Sequence, residues 1–288
     1  MKYKIKKSVK KSFISSETTR EGIHNNQKNT QLRWAIGLID GDGHIGIEWS
    51  NKEKTKWAPI LKVTLHRYNS RSIYRLKKIL GIGRVTYSKN TITYRVRSRA
   101  LWNSTLIPIF EQFHLRSTKY GAALVVKEAL HMAKIQKVLP ETIEQLLKLI
   151  KIAGPNQISP IWNATDLKAI VDLDWLAGFI EAEGSFYILS TGQHGFAIGQ
   201  AYNWHIISAI HGLFGVKSAL KQHNNYCMLD TKNTQTLHLI AEQIGGRLLG
   251  IKSFEFSLWL RTLRKKKKTK SLKAKLIIAS IRQRLFYK

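Results

Sequence analysis

One pattern occurs twice in this chain, and that repetition constrains the fold more than any other feature. WAIGLIDGDGHIGI, Trp34 to Ile47, and WLAGFIEAEGSFYI, Trp175 to Ile188, share a Trp, a small or apolar run and a Gly. Two apolar residues, an acid, a small residue, a second acid and another Gly follow in both. Further landmarks come in the same order: Gly81 in KKILGIG and Gly215 in HGLFGVK, then Lys119 closing LRSTK and Lys252 closing LLGIK. Matched landmarks at nearly equal spacing imply two copies of one folding unit. Residues 31–152 are read as the first copy and 173–288 as the second with a basic tail. AGPNQISP at 153–160 carries turn chemistry without a hydrophobic period, so 153–172 reads as the linker.

Within a copy the order is helix, strands, helix, strands, helices. In LKVTLH, Leu61, Val63 and Leu65 alternate with Lys62, Thr64 and His66. In TITYRVRS, Ile92, Tyr94 and Val96 alternate with Thr93, Arg95 and Arg97. The fold class is therefore α+β, with helices on one apolar face of antiparallel sheets. The other face is basic and hydroxyl-rich, the composition of a sheet laid in a DNA major groove, although an ordinary solvated face has a similar pattern.

Charge favours the nucleic-acid reading. Lys and Arg number 48 against 18 Asp and Glu, a formal charge of +30, and a surplus of that size calls for a polyanionic partner. A membrane surface is the weaker candidate, because the basic residues are spread along the chain. No run approaches the ~18 apolar residues of a membrane span. A single cysteine, Cys227, allows no intrachain disulfide. The opening MKYKIKKSVKKSF lacks the apolar core of a secretory signal, and residues 1–30 read as a solvated basic extension. The run RKKKKTK at 264–270 precedes a last helix expected over 271–286. Zinc-finger spacing, a P-loop and a serine-nucleophile elbow are all absent, and His211 and His238 read as structural or surface groups.

The two acidic segments read as helix ends that stop at a glycine. Gly37 and Gly41, like Gly178 and Ala182, stand at i, i+4, a spacing of small residues that lets two helices approach closely. Asp42 and Glu183 would then lie side by side at the negative ends of two helix dipoles, repelling each other. A divalent cation relieves both problems, and Mg²⁺ suits carboxylate ligands and phosphodiester chemistry. Asp40 and Glu181, two residues earlier, read as polar helix-end residues, with a supporting place behind the pair as the alternative, and without a catalytic role.

These segments resemble the paired motifs of the LAGLIDADG homing endonucleases in their single-chain, two-repeat form, over roughly 31–264. The resemblance implies two pseudo-symmetric αββαββα repeats on saddle-shaped sheets. It implies metal binding by Asp42 and Glu183 with the carbonyls of Gly41 and Ala182, and basic groups Lys119 and Lys252 at the scissile phosphate. Gln200 matches the family's water-ordering Gln. In the first copy strand parity places Leu65 there, whereas spacing to the glycine places His66; parity is preferred because a one-residue slip turns the apolar face outward. The motif begins Ala35-Ile36 where the family often has Leu-Ala, at packing positions. DNA contacts are expected from Lys62, Thr64, His66, Arg84, Arg95, Arg97, Lys217 and Lys221. The implied activity is Mg²⁺-dependent double-strand cleavage of a specific DNA site by a monomer, promoting intron mobility in a mitochondrion or chloroplast. The alternatives are a maturase acting on its host intron RNA and a non-cutting DNA-binding regulator.

Overall fold

The computed structural model describes residues 16–156, 159–163, 166–265 and 268–286. Residues 1–15, half of the expected basic extension, and part of the 264–270 run lie outside them. The first copy runs α1 (Ser16–Asp42), β1 (Gly43–Trp49), β2 (Trp57–His66), α2 (Ser70–Leu80), β3 (Arg84–Tyr87) and β4 (Thr91–Val96). It continues through α3 (Arg99–Leu101), α4 (Ile107–Gln112), α5 (Lys119–Ile135) and α6 (Pro140–Asn156). After the short α7 (Leu167–Ile170), the second copy repeats the order. It comprises α8 (Leu173–Glu183), β5 (Gly184–Ile188), β6 (His194–Ala201), α9 (Trp204–Leu213), β7 (Lys221–His223), β8 (Tyr226–Thr231), α10 (Thr234–Ile244), α11 (Lys252–Lys265) and α12 (Lys268–Phe286). Helix α1 reaches back into the stretch read as a solvated arm, and α6 runs into 153–160, where turn chemistry suggested its end.

Each copy forms a four-stranded antiparallel sheet, ordered β1-β2-β4-β3 and β5-β6-β8-β7. The alternation read in the sequence is the burial pattern: Leu61, Val63, Leu65, Ile92, Tyr94 and Val96 are all in the core, against the helices. Removing such side chains from water is the main stabilising term.

The copies join through α1 and α8, which cross at their glycines. A Cβ on Gly37 would sit 1.9 Å from the Trp175 carbonyl oxygen, and one on Gly178 would sit 1.9 Å from the Trp34 carbonyl oxygen. The contact is backbone against backbone, and only glycine fits at either crossing.

The register also explains the conflict between Leu65 and His66. Gly43 pairs with Val63 and Gly184 with Ile198, so Leu65 matches Gln200 by sheet position. The helices that follow start at Ser70 and Trp204 and both end at a left-handed or near-bridge cap beside Gly81 and Gly215. The first copy therefore carries one extra residue between strand and helix. It is absorbed by a 3₁₀ turn, Arg67–Asn69, capped by the His66 Nδ1, which accepts from the Tyr68 N–H at 3.2 Å. The shorter second connection instead turns through Tyr202 at φ +62°, a left-handed conformation costly for a tyrosine.

Candidate catalytic centre and nucleic-acid face

The ends of α1 and α8 bring Asp42 and Glu183 together. A Cβ on Gly41 would lie 2.2 Å from the Ala182 Cβ and 3.3 Å from the Glu183 Cγ, so the residues before the acids are small because the helices touch there. Burial raises the Asp42 carboxyl above the ordinary carboxylate range, with Lys252 and then Lys119 opposing. Burial raises Glu183 too, the Asp42 charge adds to it, and Lys119 opposes more than Lys252 does. Each acid thus feels the lysine of the opposite copy more strongly.

The lysines open α5 and α11 and point back at the acid-bearing helices. Lys119 Nζ donates to the carbonyls of Asp40 (2.7 Å) and Gly41 (2.9 Å). Lys252 Nζ donates to those of Ile180 (2.8 Å), Glu181 (2.8 Å) and Ala182 (3.2 Å). An α-helix leaves its last carbonyls unpaired at the negative end of its dipole, so an ammonium is a natural cap. Burial lowers both lysines from the ordinary ammonium value, while nearby acids, Asp40 first for Lys119 and Glu181 first for Lys252, pull them back. Gln200 crosses between the copies: its Nε2 donates to Glu183 Oε1 (3.0 Å) and to the Asp40 (3.0 Å) and Gly41 (3.3 Å) carbonyls. Its Oε1 is buried and has no hydrogen-bond partner among the described residues. The structure therefore collects Asp42, Glu183, Lys119, Lys252, Gln200, Gly41 and Ala182 in one place. Leu65, at the position matching Gln200, is an apolar core residue.

Asp40 and Glu181, read above as polar helix-end residues, lie beneath this centre, together with Arg116, Ser117 and Asp172, which the sequence did not single out. Asp40 is fully buried and accepts from the Arg116 N–H (3.0 Å), the Ser117 N–H (2.9 Å), the Ser117 hydroxyl (2.6 Å) and the Trp175 indole (2.8 Å). It thereby sets the loop that delivers Lys119. Arg116 pairs with Asp172 at 2.6 Å, donates Nε to the Ile170 carbonyl at 2.6 Å and stacks over Trp175 at 4.4 Å. Asp172 in turn caps α8 through the Trp175 N–H. The second copy has Leu249 in place of Arg116; its Glu181 accepts from the Gly250 N–H at 2.6 Å. The cue in the sequence was an acid at matched positions of both motifs, which here is a fastening for the lysine loop.

The expected DNA contacts separate into two groups. In the first sheet Lys62 pairs in register with Arg95 and Arg95 with Arg84, a row of cations across three strands. The next row is Thr64, Thr93 and Thr86, with Thr64 and Thr93 hydroxyls 3.0 Å apart. His66 caps the 3₁₀ turn at the strand end, and Arg97 donates to the Ser50 hydroxyl at 3.4 Å near Glu48. Lys221 is paired with Asp230 at 2.6 Å, and Lys217 lies off the strands, lining a cavity of about 480 Å³ with Lys221 and Lys232.

Two sheets flanking a pair of acidic helix ends that meet on a pseudo-twofold axis, each acid with a lysine at the start of a later helix, define a two-repeat LAGLIDADG protein. The LAGLIDADG endonuclease family model matches residues 35–130. The chain is 31% identical over 272 residues to "Probable intron-encoded endonuclease Cox1-I1b" of Schizosaccharomyces pombe, over 89% of this chain and 68% of that protein. It is 25% identical over 231 residues to "Probable intron-encoded endonuclease aI3" of Dictyostelium citrinum, covering 77% of this chain and 90% of the relative. Its fold matches I-SmaMI bound to uncleaved DNA target in the presence of calcium ions, at TM-score 0.67 and 20% identity, covering 86% of this chain and 97% of that one. It also matches the LAGLIDADG homing endonuclease I-GzeII in complex with its DNA target, at TM-score 0.67 and 18% identity, covering 87% and 96%. The chain belongs to the LAGLIDADG endonuclease family. No helix among the described residues is long and apolar enough to cross a membrane.

Proposed function

We propose that this protein is a site-specific double-strand DNA endonuclease that hydrolyses phosphodiesters with a divalent metal, Mg²⁺, and promotes mobility of the intron that encodes it. The observation that carries this reading is the paired acid, lysine and carbonyl arrangement where α1 meets α8. Two half-buried carboxylates at abutting helix C-termini repel, and both are raised. The donor set fits a hard cation: carboxylates and main-chain carbonyls, with the partnerless Gln200 Oε1 beside them. Water and phosphate oxygens would complete the shell of such a cation. Asp42 and Glu183, with the Gly41 and Ala182 carbonyls, would hold it. When bound, the metal supplies Lewis acidity at the phosphate and lowers the pKa of water.

The chain's own residues do the rest. Lys119 and Lys252 offset negative charge developing on the phosphate. Gln200, tied through Nε2 to Glu183, offers Oε1 to orient the attacking water. The cationic row of the first sheet grips phosphates and base edges. The stretch 153–172 acts as the tether between two repeats of a monomer. An organellar location follows from the same family reading.

The test is cleavage of DNA carrying the intron-less junction of the host gene, with Mg²⁺ and with EDTA, for wild type and for Asp42→Asn/Glu183→Gln. Mg²⁺-dependent double-strand cutting that the double variant loses supports the reading. Tight specific binding without cutting would turn it toward a splicing factor or regulator. Cutting that survives the double variant would place the active site elsewhere.

A further inference from the structure

On their two middle strands, matched rung by rung, the exposed faces of the two sheets differ in chemistry. The shared register places Ala197 where the first sheet has Lys62, and Asp230 where it has Arg95. The next rung has Gly199 and Met228 in place of Thr64 and Thr93, and the one beyond has Ala201 and Tyr226 in place of His66 and Thr91. Asp230 is already engaged, by the Tyr187 hydroxyl at 2.5 Å and by Lys221 Nζ at 2.6 Å, so the nearest cation is neutralised.

Two tyrosine rings cover the middle strand of the second sheet. A Cβ on Gly195 would sit 2.1 Å from the Tyr187 Cζ, and one on Gly199 would sit 2.6 Å from the Tyr226 hydroxyl and 2.8 Å from its Cζ. The rings therefore lie across β6 in space that only glycine leaves open. On β6 and β8 the result is a shallow face of tyrosine, methionine and alanine, edged on β7 by Lys221, which is paired with Asp230, and by the exposed His223.

We infer that the two half-sites of the DNA target differ in base class, with guanine over the cationic row of the first sheet and thymine over the tyrosine-covered second sheet. This rests on the DNA-cutting reading above. Guanine alone presents two acceptors, N7 and O6, on its major-groove edge, the match for an arginine fork. Thymine alone presents a methyl group there, the match for a shallow apolar surface.

The experiment is cleavage selection from duplexes randomised across the whole site, for wild type and Arg95→Ala, followed by uracil-for-thymine replacement in the selected site. Guanine should be enriched in one half and thymine in the other. Arg95→Ala should relax the guanine half alone, by about 10-fold. Uracil, which lacks only the methyl, should weaken binding by about 3- to 5-fold per contacted base in the thymine half, with no change in the guanine half. Guanine selected in both halves, or indifference to uracil, overturns the inference. If no duplex is cut with Mg²⁺, the endonuclease reading fails instead, and enrichment of the same library by binding alone then decides the base classes by the same criteria.

Discussion

The loops that deliver Lys119 and Lys252 end at matched positions but are fastened differently. The Lys119 loop is held from all sides. Asp40 gathers its amides, Arg116 binds Asp172 and the Ile170 carbonyl, and the Thr118 N–H donates to Asn203 Oδ1 at 2.8 Å. The Arg116 carbonyl also accepts from the Trp162 indole at 3.1 Å. The Lys252 loop uses a longer acid, with the Ser253 hydroxyl donating to the Gly250 carbonyl at 2.7 Å and Arg247 paired with Asp174 before it. Glu181 reaches the Gly250 N–H at 2.6 Å and, more weakly, the Lys252 N–H at 3.4 Å. Gly250 is glycine because a Cβ there would sit 2.1 Å from the Ser72 hydroxyl and 2.4 Å from Glu181 Oε2. Even the tryptophans differ: the Trp175 indole donates to Asp40, while the buried Trp34 Nε1 has no partner among the described residues. Both loops are thus tied by side chains, but the acid meets two amides and a hydroxyl at Arg116 and Ser117 in the first copy, and in the second gains a methylene opposite a missing Cβ at Gly250.

The difference can be broken from either side. Grafting the second copy's residue into the first, Arg116→Leu, strands Asp172 and the Ile170 carbonyl and should cost about 3 kcal/mol, read from urea unfolding. Gly250→Ala should cost about 2 kcal/mol through overpacking and slow one strand's nicking more than the other's; equal slowing of both would tie the two loops together. Gln200→Leu makes the second copy resemble the first at Leu65. Wild type should nick the two strands unequally, and this change should slow the faster strand by about 10-fold, near 1.4 kcal/mol. Strand-resolved single-turnover cleavage checks it, and equal rates in the wild type would remove its basis.

The smallest effect concerns pH. A carboxyl raised in the folded state keeps its proton where the unfolded chain has released it. The metal-free protein should therefore lose stability as pH rises from the ordinary carboxylate range through the raised values of Asp42 and Glu183, and then level off. Asp42→Asn should remove part of that decline and raise the metal-free Tm by about 2–4 °C at neutral pH, read by thermal melts.

What the sequence disclosed was whatever spacing alone determines. Matched landmarks were enough for two repeats, for the meeting of Asp42 with Glu183 and for the lysines, because in a repeated fold equal separations map to equivalent places. Period-2 alternation was enough for the inward faces of β2 and β4. Other features depend on where a side chain turns after leaving the backbone. Asp40 looks like any helix-end acid until the loop carrying Ser117 folds over it. Lys221 reads as a free cation until Asp230 arrives from the neighbouring strand. The two alignments of Leu65 and His66 seemed exclusive because an extra residue at a strand end alters spacing downstream without disturbing parity upstream.

The backbone crossing at Gly37 and Gly178 carries a consequence for how such a chain can be rebuilt. An interface of carbonyls against glycines holds almost no record of which partner it was built for, so halves of related proteins with the same glycines should dock there interchangeably. Ties particular to this chain lie elsewhere, among them Arg116 with Asp172, Thr118 with Asn203, Asp40 with Trp175, and Tyr68 with Glu255. A chimera that divides the first three of these pairs, or loses Gln200 across the copies, gains a new half-site at the expense of Lys119's footing.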